Sequence, residues 1–226
     1  MTNTSAALAV LRKDLRLEVR TGQSTIALFA LSLLIMVVLV FALDPKPRER
    51  FDAGAGALWV ALIFAGVLGA TRALVAESES GCIRALALSP IDPAALYAAK
   101  LASALIFMAV AEAAAVGLIV LFFNLDVGPQ LARVALPVVL GTLGFSALAT
   151  LLAAISSRTR AGDLMLPLLA VPMFIPALIA GVKASGALLA GAGFSEVGKW
   201  IGILVAFDAL FVTLGALLFE YVIGEE

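Results

Sequence analysis

The chain has 226 residues, of which 63% are hydrophobic and 14% are charged, and its mean hydropathy is +1.12. Soluble domains are about 45–50% apolar and about a quarter charged, so this composition excludes a soluble globular enzyme, a disordered tail and a coiled coil. The 15 Lys and Arg residues nearly balance the 16 Asp and Glu residues, and without a basic field no nucleic-acid partner is expected. Long apolar runs instead predict an all-α polytopic membrane protein rather than a β-barrel.

Two absences restrict the chemistry of the chain. It contains no histidine and a single cysteine, Cys82, so it lacks the commonest general base, the usual haem ligand and the residues of most zinc and disulfide sites. We therefore expect no metal site, no catalytic site and no cofactor bound by this chain alone. Another molecule would supply the ligands of any haem, and Cys82 is given no function.

The first predicted element is an amphipathic helix at residues 6–20. Its apolar residues fall on one stripe: Leu8, Leu11, Leu15 and Val19. Basic residues occupy much of the remaining surface: Arg12, Lys13, Arg16 and Arg20. This pattern is typical of a helix that lies in the membrane interface with its basic groups towards anionic headgroups. The alternative is a charged tail that only enforces orientation.

Six apolar segments follow, each long enough to cross a hydrocarbon core of about 30 Å. They predict a single transmembrane domain, 1–226, with spans at about 24–43, 53–75, 101–125, 134–157, 164–182 and 200–221. The fifth contains Pro167, Pro172 and Pro176, the only sign of a broken helix. Residues 184–195 are apolar or small but too short to span, and either a re-entrant helical piece or a Gly-rich loop would fit them.

The distribution of Lys and Arg indicates the orientation. With the N-terminus inside, nine basic residues are cytoplasmic: Arg12, Lys13, Arg16, Arg20, Arg72, Arg84, Lys100, Arg158 and Arg160. Six are outside: Lys46, Arg48, Arg50, Arg133, Lys183 and Lys199. This bias predicts that both the N-terminus and the C-terminus are cytoplasmic.

The connection between spans 2 and 3 has the construction of a rigid cytoplasmic elbow. Ser80 can cap a short helix that Pro90 prevents from continuing. Asp92 and Pro93 then supply the N-cap and the N1 position of a new helix, which runs to near Asn124. A short helix held between two spans can transmit force from a docked soluble partner, although an ordinary amphipathic connector has the same pattern.

Two acidic residues lie inside predicted spans, Glu112 in the third and Asp208 in the sixth. Charges at such depth cost about 2.5–3.5 kcal/mol on insertion scales, so they usually face protein or a water-filled cavity. They predict either a polar patch in a translocation path or subunit interface, or protonated acids with local hydrogen bonds.

Three stretches of the sequence resemble the haem exporter protein B family, the membrane permease of the cytochrome c maturation ABC transporter. Residues 13–20 (KDLRLEVR) are similar to the family's N-terminal segment. A second stretch resembles the family's signature region. It contains LWVA at 58–61, Arg72, Glu77, Glu79, Gly81, LALSP at 86–90 and Tyr97. The third stretch resembles the family's fourth and fifth spans and contains LGTLGF at 140–145, RTR at 158–160 and LPLL at 166–169.

The resemblance implies a permease of the ABC-2 exporter architecture in the bacterial cytoplasmic (inner) membrane. It implies an ATP-binding cassette partner, usually in two copies, that docks on the elbow as on a coupling helix. The docking residues would be Glu77, Glu79, Gly81, Ile83, Arg84, Leu86, Leu88 and Pro90. It further implies a haem-handling membrane subunit and a periplasmic haem chaperone, whose haem-loaded form is released at the expense of ATP.

The sequence leaves two other functions open. One is a permease of the same architecture that exports another lipid or drug. The other is a secondary transporter without an ATPase, which would be expected to show an internal inverted repeat with paired broken helices. The sequence has no convincing repeat of this kind.

Overall fold

The computed structural model describes residues 3–21, 23–46, 49–79, 92–126, 128, 130–156 and 162–224. In these ranges the chain forms seven α-helices. They are α1 (Asn3–Thr21), α2 (Gln23–Leu43), α3 (Arg50–Glu79), α4 (Pro93–Phe122), α5 (Gln130–Ser156), α6 (Gly162–Leu189) and α7 (Phe194–Gly224). The prediction of an all-α chain is confirmed for this part of the sequence.

Among the described helices, five contain a stretch that is long and apolar enough, by length and composition, to cross a membrane. These stretches are Arg50–Ala73, Pro93–Phe122, Gln130–Ser156, Leu166–Leu189 and Phe194–Phe219. They correspond to the second to sixth predicted spans. The first predicted span corresponds to α2, whose apolar stretch Phe29–Leu43 is shorter than the other five.

The start of α4 agrees with the prediction from Asp92 and Pro93. Asp92 is the N-cap residue and Pro93 occupies the first turn, although the Asp92 side chain makes no capping hydrogen bond. The helix has 30 residues, or about 45 Å at 1.5 Å per residue. It ends at Phe122, and the chain turns through Asn124 in a left-handed conformation with φ 48°.

The structure corrects two expectations about the fifth span. Pro167, Pro172 and Pro176 lie inside one uninterrupted helix, α6, so the expected break is absent. Neighbouring helices and local adjustment tolerate prolines in such segments. Residues 184–195 form neither a re-entrant piece nor a long Gly-rich loop: α6 continues to Leu189, and the turn to α7 takes only 190–193, with Gly191 at φ 96°.

Successive spanning helices run antiparallel. Gly54, near the start of α3, lies against Phe123 and Leu125, just beyond the end of α4. Gly186, near the end of α6, lies against Asp52 in the first turn of α3. The start of α3 and the ends of α4 and α6 therefore share one end of the bundle.

At the opposite end, called the α1 end, the start of α4 packs against both α1 and the end of α7. Tyr97 of α4 packs on Phe219 of α7 with ring centroids 5.4 Å apart. Its hydroxyl donates to the Phe211 carbonyl oxygen at 3.4 Å. The buried ring thus fixes α4 to α7 at this end, while its polar atom keeps a partner.

Trp59 of α3 is wedged between α5 and α6. Its side chain is fully buried, and its indole Nε1 donates to Ser185 Oγ of α6 at 3.0 Å. The ring lies directly against Gly141 of α5 and Gly181 of α6, where a Cβ atom would overlap it. Two glycines on different helices therefore provide the space for one large side chain.

An aromatic cluster extends from Trp59 across the bundle. Phe174 of α6 stacks on Trp59 with centroids 6.4 Å apart, and it meets Phe145 of α5 edge-on at 5.2 Å. It also meets Phe207 of α7 edge-on at 5.5 Å, and Phe207 continues to Phe211 at 4.5 Å. Aromatic pairs in these arrangements add about 0.5–1.5 kcal/mol each beyond area burial. The cluster joins α3, α5, α6 and α7 into one core.

We expect Gly141→Ala to destabilise the bundle by about 1–3 kcal/mol, the usual effect of overpacking a close contact, because the added methyl group overlaps Trp59. Equilibrium unfolding of the purified chain in mixed detergent measures this change. Gly117→Ala is the matched control, since among the described residues no atom outside its own stretch of helix lies within 4 Å of its added methyl group. An equal loss of stability in both variants would show that the Trp59 contact is not responsible.

Candidate functional site

The predicted elbow lies mostly outside the described residues. Glu77 and Glu79 belong to the last turn of α3, which continues past the predicted end of the span. The remaining predicted docking residues fall within 80–91, which the structure does not describe: Gly81, Ile83, Arg84, Leu86, Leu88 and Pro90. The two ends of the connection are nevertheless fixed, because α3 ends at Glu79 and α4 begins at Pro93.

Glu112 is buried inside the bundle next to a hydroxyl group from another helix. Its side chain on α4 contacts Thr142 Oγ1 of α5 by a hydrogen bond. The same hydroxyl lies 2.8 Å from the Val138 carbonyl oxygen, the usual local acceptor of a helical threonine. A hydroxyl has one proton to donate. The Thr142 hydroxyl can therefore donate to the Val138 carbonyl oxygen or to Glu112 Oε1, but not fully to both at once.

Asp208 is equally buried but less well satisfied. Asp208 is 6% exposed. Among the described residues, neither of its carboxylate oxygens has a hydrogen-bond partner of ordinary geometry. A Cβ atom at Gly144 of α5 would lie 2.5 Å from Asp208 Oδ1, so the glycine makes the space for this carboxyl group. A buried carboxyl group without partners is destabilising, and such groups usually mark functional positions.

The two acids therefore meet the same segment of α5 from different helices. Glu112 comes from α4 to Thr142, and Asp208 comes from α7 to Gly144. Sequence reasoning identified both acids but missed the hydroxyl of Thr142, whose signal was a polar side chain within the apolar motif at 140–145. In the described part of the chain no three Cys, Asp or Glu residues come together as a metal site would require.

At the α1 end, Asp14 attaches the amphipathic helix to the bundle. Its Oδ2 atom lies 3.1 Å from Lys100 Nζ of α4 and accepts a hydrogen bond from Ser103 Oγ at 3.3 Å. Lys13 pairs with Oδ1 at 3.0 Å. The side chains of Asp14 and Lys100 are only 17% and 14% exposed, so this ion pair is less screened than one at the surface.

The remainder of α1 agrees in part with the predicted stripe. Leu11 and Leu15 are half-buried, whereas Leu8 is 46% exposed, and the most buried described side chain is Val10, which the prediction missed. Arg12 and Arg16 are exposed, and the side chain of Arg20 is not described. Helix α1 packs on α4 and α2, so in the structure it is an attached helix and not a free tail.

The fold defines the class of the protein: a multi-pass α-helical membrane protein with buried acids in its core. Within that class, a family model described as CcmB protein matches residues 5–223. The chain therefore belongs to the CcmB family, as the resemblance in its sequence predicts.

Similar proteins from three bacteria agree with this assignment, and each of them is named "Heme exporter protein B". The chain is 29% identical to the Rhodobacter capsulatus protein over 175 residues, which are 77% of this chain and 80% of that protein. It is 27% identical to the Bradyrhizobium diazoefficiens protein over 211 residues, 93% and 94% of the two chains. Identity to the Paracoccus denitrificans protein is 28% over 184 residues, 81% and 84%.

We expect Asp14→Asn to loosen α1 from the bundle, because it removes the carboxylate that pairs with the mostly buried ammonium group of Lys100. Trypsin cleavage at the exposed Arg12 and Arg16 should then accelerate by roughly tenfold, the factor that corresponds to about 1.4 kcal/mol. Asp126→Asn removes an exposed carboxylate elsewhere and is the control. Unchanged cleavage of the Asp14 variant would contradict a role of this ion pair in holding α1.

Proposed function

We propose that this chain is the membrane permease subunit of an ABC transporter for cytochrome c maturation. The family match over 5–223 and the relatives named "Heme exporter protein B" carry this proposal. In the complex, ATP hydrolysis by a partner subunit would drive haem delivery through release of the haem-loaded periplasmic chaperone. The other partners are a haem-handling membrane subunit, that chaperone and the surrounding bilayer.

The sequence supports a partner ATPase because it contains no phosphate-binding loop of the form G-x-x-x-x-G-K-[ST]. The two glycines and the lysine of this pattern are matched by Gly193, Gly198 and Lys199. Trp200 stands where the loop requires a hydroxyl group for Mg²⁺, and the segment begins α7. We propose that this chain is not itself catalytic and that the nucleotide is bound by two copies of the ATP-binding subunit.

We further propose an arrangement in the bacterial inner membrane with six spans. Helix α2 supplies the first span, and both termini are cytoplasmic. The antiparallel order of α3 to α7 supports this arrangement, because it places the starts of α4 and α6 at one end of the bundle. The basic residues Arg12 and Arg16 are exposed on α1 at that end, where the interfacial helix would meet anionic headgroups.

The ATPase would dock on the connection between α3 and α4. Helix α4 runs from this connection to the opposite end of the bundle and carries Lys100, which holds Asp14, and Glu112, which contacts Thr142. A displacement of the connection would therefore move both polar contacts together. Through helix α4, the ATP cycle of the partner subunit would therefore change the packing of the membrane-spanning helices.

A second function, export of another lipid or drug by the same architecture, has one observation in its favour. The chain lacks histidine and so lacks the usual axial ligand for haem. The relatives' shared name nevertheless favours haem, and the route of haem within the complex is a separate question from the role of this chain.

We expect the double charge reversal Glu77→Lys with Glu79→Lys to abolish co-purification of the ATP-binding subunit while membrane insertion persists, because both acids lead into the proposed docking segment. Quantification of the partner after affinity purification of this chain measures the effect. Asp126→Lys with Glu49→Lys, which changes charge equally at the opposite end of the bundle, is the control. Undiminished co-purification would show that this segment is not part of the interface with the ATP-binding subunit.

The purified chain alone is expected to retain no stoichiometric haem. Its five Met, two Tyr and single Cys residues supply only weak or atypical axial ligands in the absence of His. The absorption spectrum after incubation with haem and gel filtration measures retention, with the complete complex measured beside it. A stable low-spin spectrum in the isolated chain would contradict the prediction.

We expect Glu112→Gln to impair cytochrome c maturation at matched protein levels. The amide keeps the shape and both donor and acceptor groups, but it cannot exchange a proton in the core. Accumulation of covalently attached haem in c-type cytochromes is the measurement, and Asp126→Asn is the matched carboxyl-to-amide control. Full maturation in the Glu112 variant would leave this carboxyl group with a structural role alone.

A further inference from the structure

A cavity of about 500 Å³ opens at the end of the bundle opposite α1. It lies between the ends of α2 and α4 and the start of α3. Its lining combines aromatic side chains with polar ones: Phe41, Phe122, Phe123, Asp44, Arg50 and Asn124. Volumes of about 300–1,000 Å³ are typical of sites for small ligands.

The polar part of the cavity contains two side chains of opposite charge, Asp44 and Arg50. Asp44 directly follows the last residue of α2, and Arg50 is the first residue of α3. Neither side chain forms an ion pair with the other or with another described residue, although both line the same cavity. Two separated charges of opposite sign are complementary to a ligand that itself carries both signs.

The apolar part of the cavity is lined by the last turns of α2 and α4. Phe123 is 2% exposed, whereas Phe41 is 79% exposed on the outer surface of α2. Phe41 and Phe122 belong to the last turns of two apolar helices, so hydrocarbon chains can run along these turns into the bilayer. The ligand that fits is therefore amphiphilic, with a dipolar head and an apolar tail.

Two of the polar lining residues lie at helix ends with left-handed backbone conformations. Asp44 has φ 37° and Asn124 has φ 48°, both in the left-handed region in which Asp and Asn are tolerated better than other non-glycine residues. These conformations end α2 and α4 where the cavity opens.

We propose that this cavity binds a phospholipid whose head carries both a phosphate and a primary ammonium group, as phosphatidylethanolamine does. Arg50 would bind the phosphate and Asp44 would accept hydrogen bonds from the ammonium group, while Phe41 and Phe122 flank the chains. A ligand with two carboxylates fits less well, because Asp44 repels the second negative charge. The site is distinct from the buried acids and from the proposed ATPase contact.

The test uses the full chain purified in detergent and exposed to equal amounts of phosphatidylethanolamine, phosphatidylcholine and phosphatidylglycerol with identical chains. Native mass spectrometry counts the lipid that is retained. We expect phosphatidylethanolamine to exceed the other two by roughly tenfold, the factor for one charge-assisted hydrogen bond. Phosphatidylcholine cannot donate to Asp44, and phosphatidylglycerol has no cation.

Asp44→Asn decides the assignment, because asparagine tolerates the same left-handed backbone and removes only the charge. We expect this variant to lose the preference for phosphatidylethanolamine over phosphatidylglycerol. Arg50→Gln should reduce retention of all three lipids. The exposed Asp126→Asn and Arg133→Gln lie outside the cavity and should leave retention unchanged.

Three results would overturn the proposal. The first is equal retention of phosphatidylethanolamine and phosphatidylglycerol by the unaltered chain. The second is a preference for phosphatidylethanolamine that survives Asp44→Asn. The third is displacement of the lipid by an equal concentration of soluble phosphoethanolamine, which would assign the site to the free headgroup and not to a lipid.

Discussion

The buried indole of Trp59 is the contact on which the packing of the spanning helices depends. It occupies the space that Gly141 and Gly181 leave on two other helices, and its hydrogen bond to Ser185 satisfies its polar atom inside the bundle. Helices in a membrane have no hydrophobic driving force towards one another, so close packing at small residues and interhelical hydrogen bonds must hold them together. A single side chain supplies both here, and the aromatic cluster extends the same core to α7.

This packing also determines where polar groups can be kept away from lipid. Helix α5 contacts α3, α4, α6 and α7 and is the most buried of the five candidate spans. It receives Glu112 at Thr142 and Asp208 at Gly144, so both acids are enclosed by protein. One acid has a partner in this structure and the other has none of ordinary geometry among the described residues. A donor or a water molecule at Asp208 would relieve the cost of burying this carboxyl group.

The number and order of the long helices follow from the sequence, because runs of apolar residues are required to cross a bilayer. The end of α6 was not predictable in the same way: Ala184 to Leu189 consists of small and apolar residues that suit a loop, a re-entrant piece or a helix, and only packing selects the helix. The partners Ser185 and Thr142 were missed because they lie 126 and 30 residues from Trp59 and Glu112. Local patterns contain no information about such pairs. The resemblance to the family predicted the correct assignment, and the docking residues at 80–91 remain a prediction.

Complementation tests the central claim that this chain acts as the membrane subunit of an ATP-driven system for cytochrome c maturation. The measurement is the amount of covalently attached haem in c-type cytochromes of a bacterium that lacks its own CcmB-family protein and expresses this chain with its ATP-binding partner. We predict that maturation is restored with an active partner and is lost when the partner's phosphate-loop lysine is replaced, at equal levels of this chain. Restoration with the inactive partner, or no restoration when the assembled complex is present, would contradict the claim.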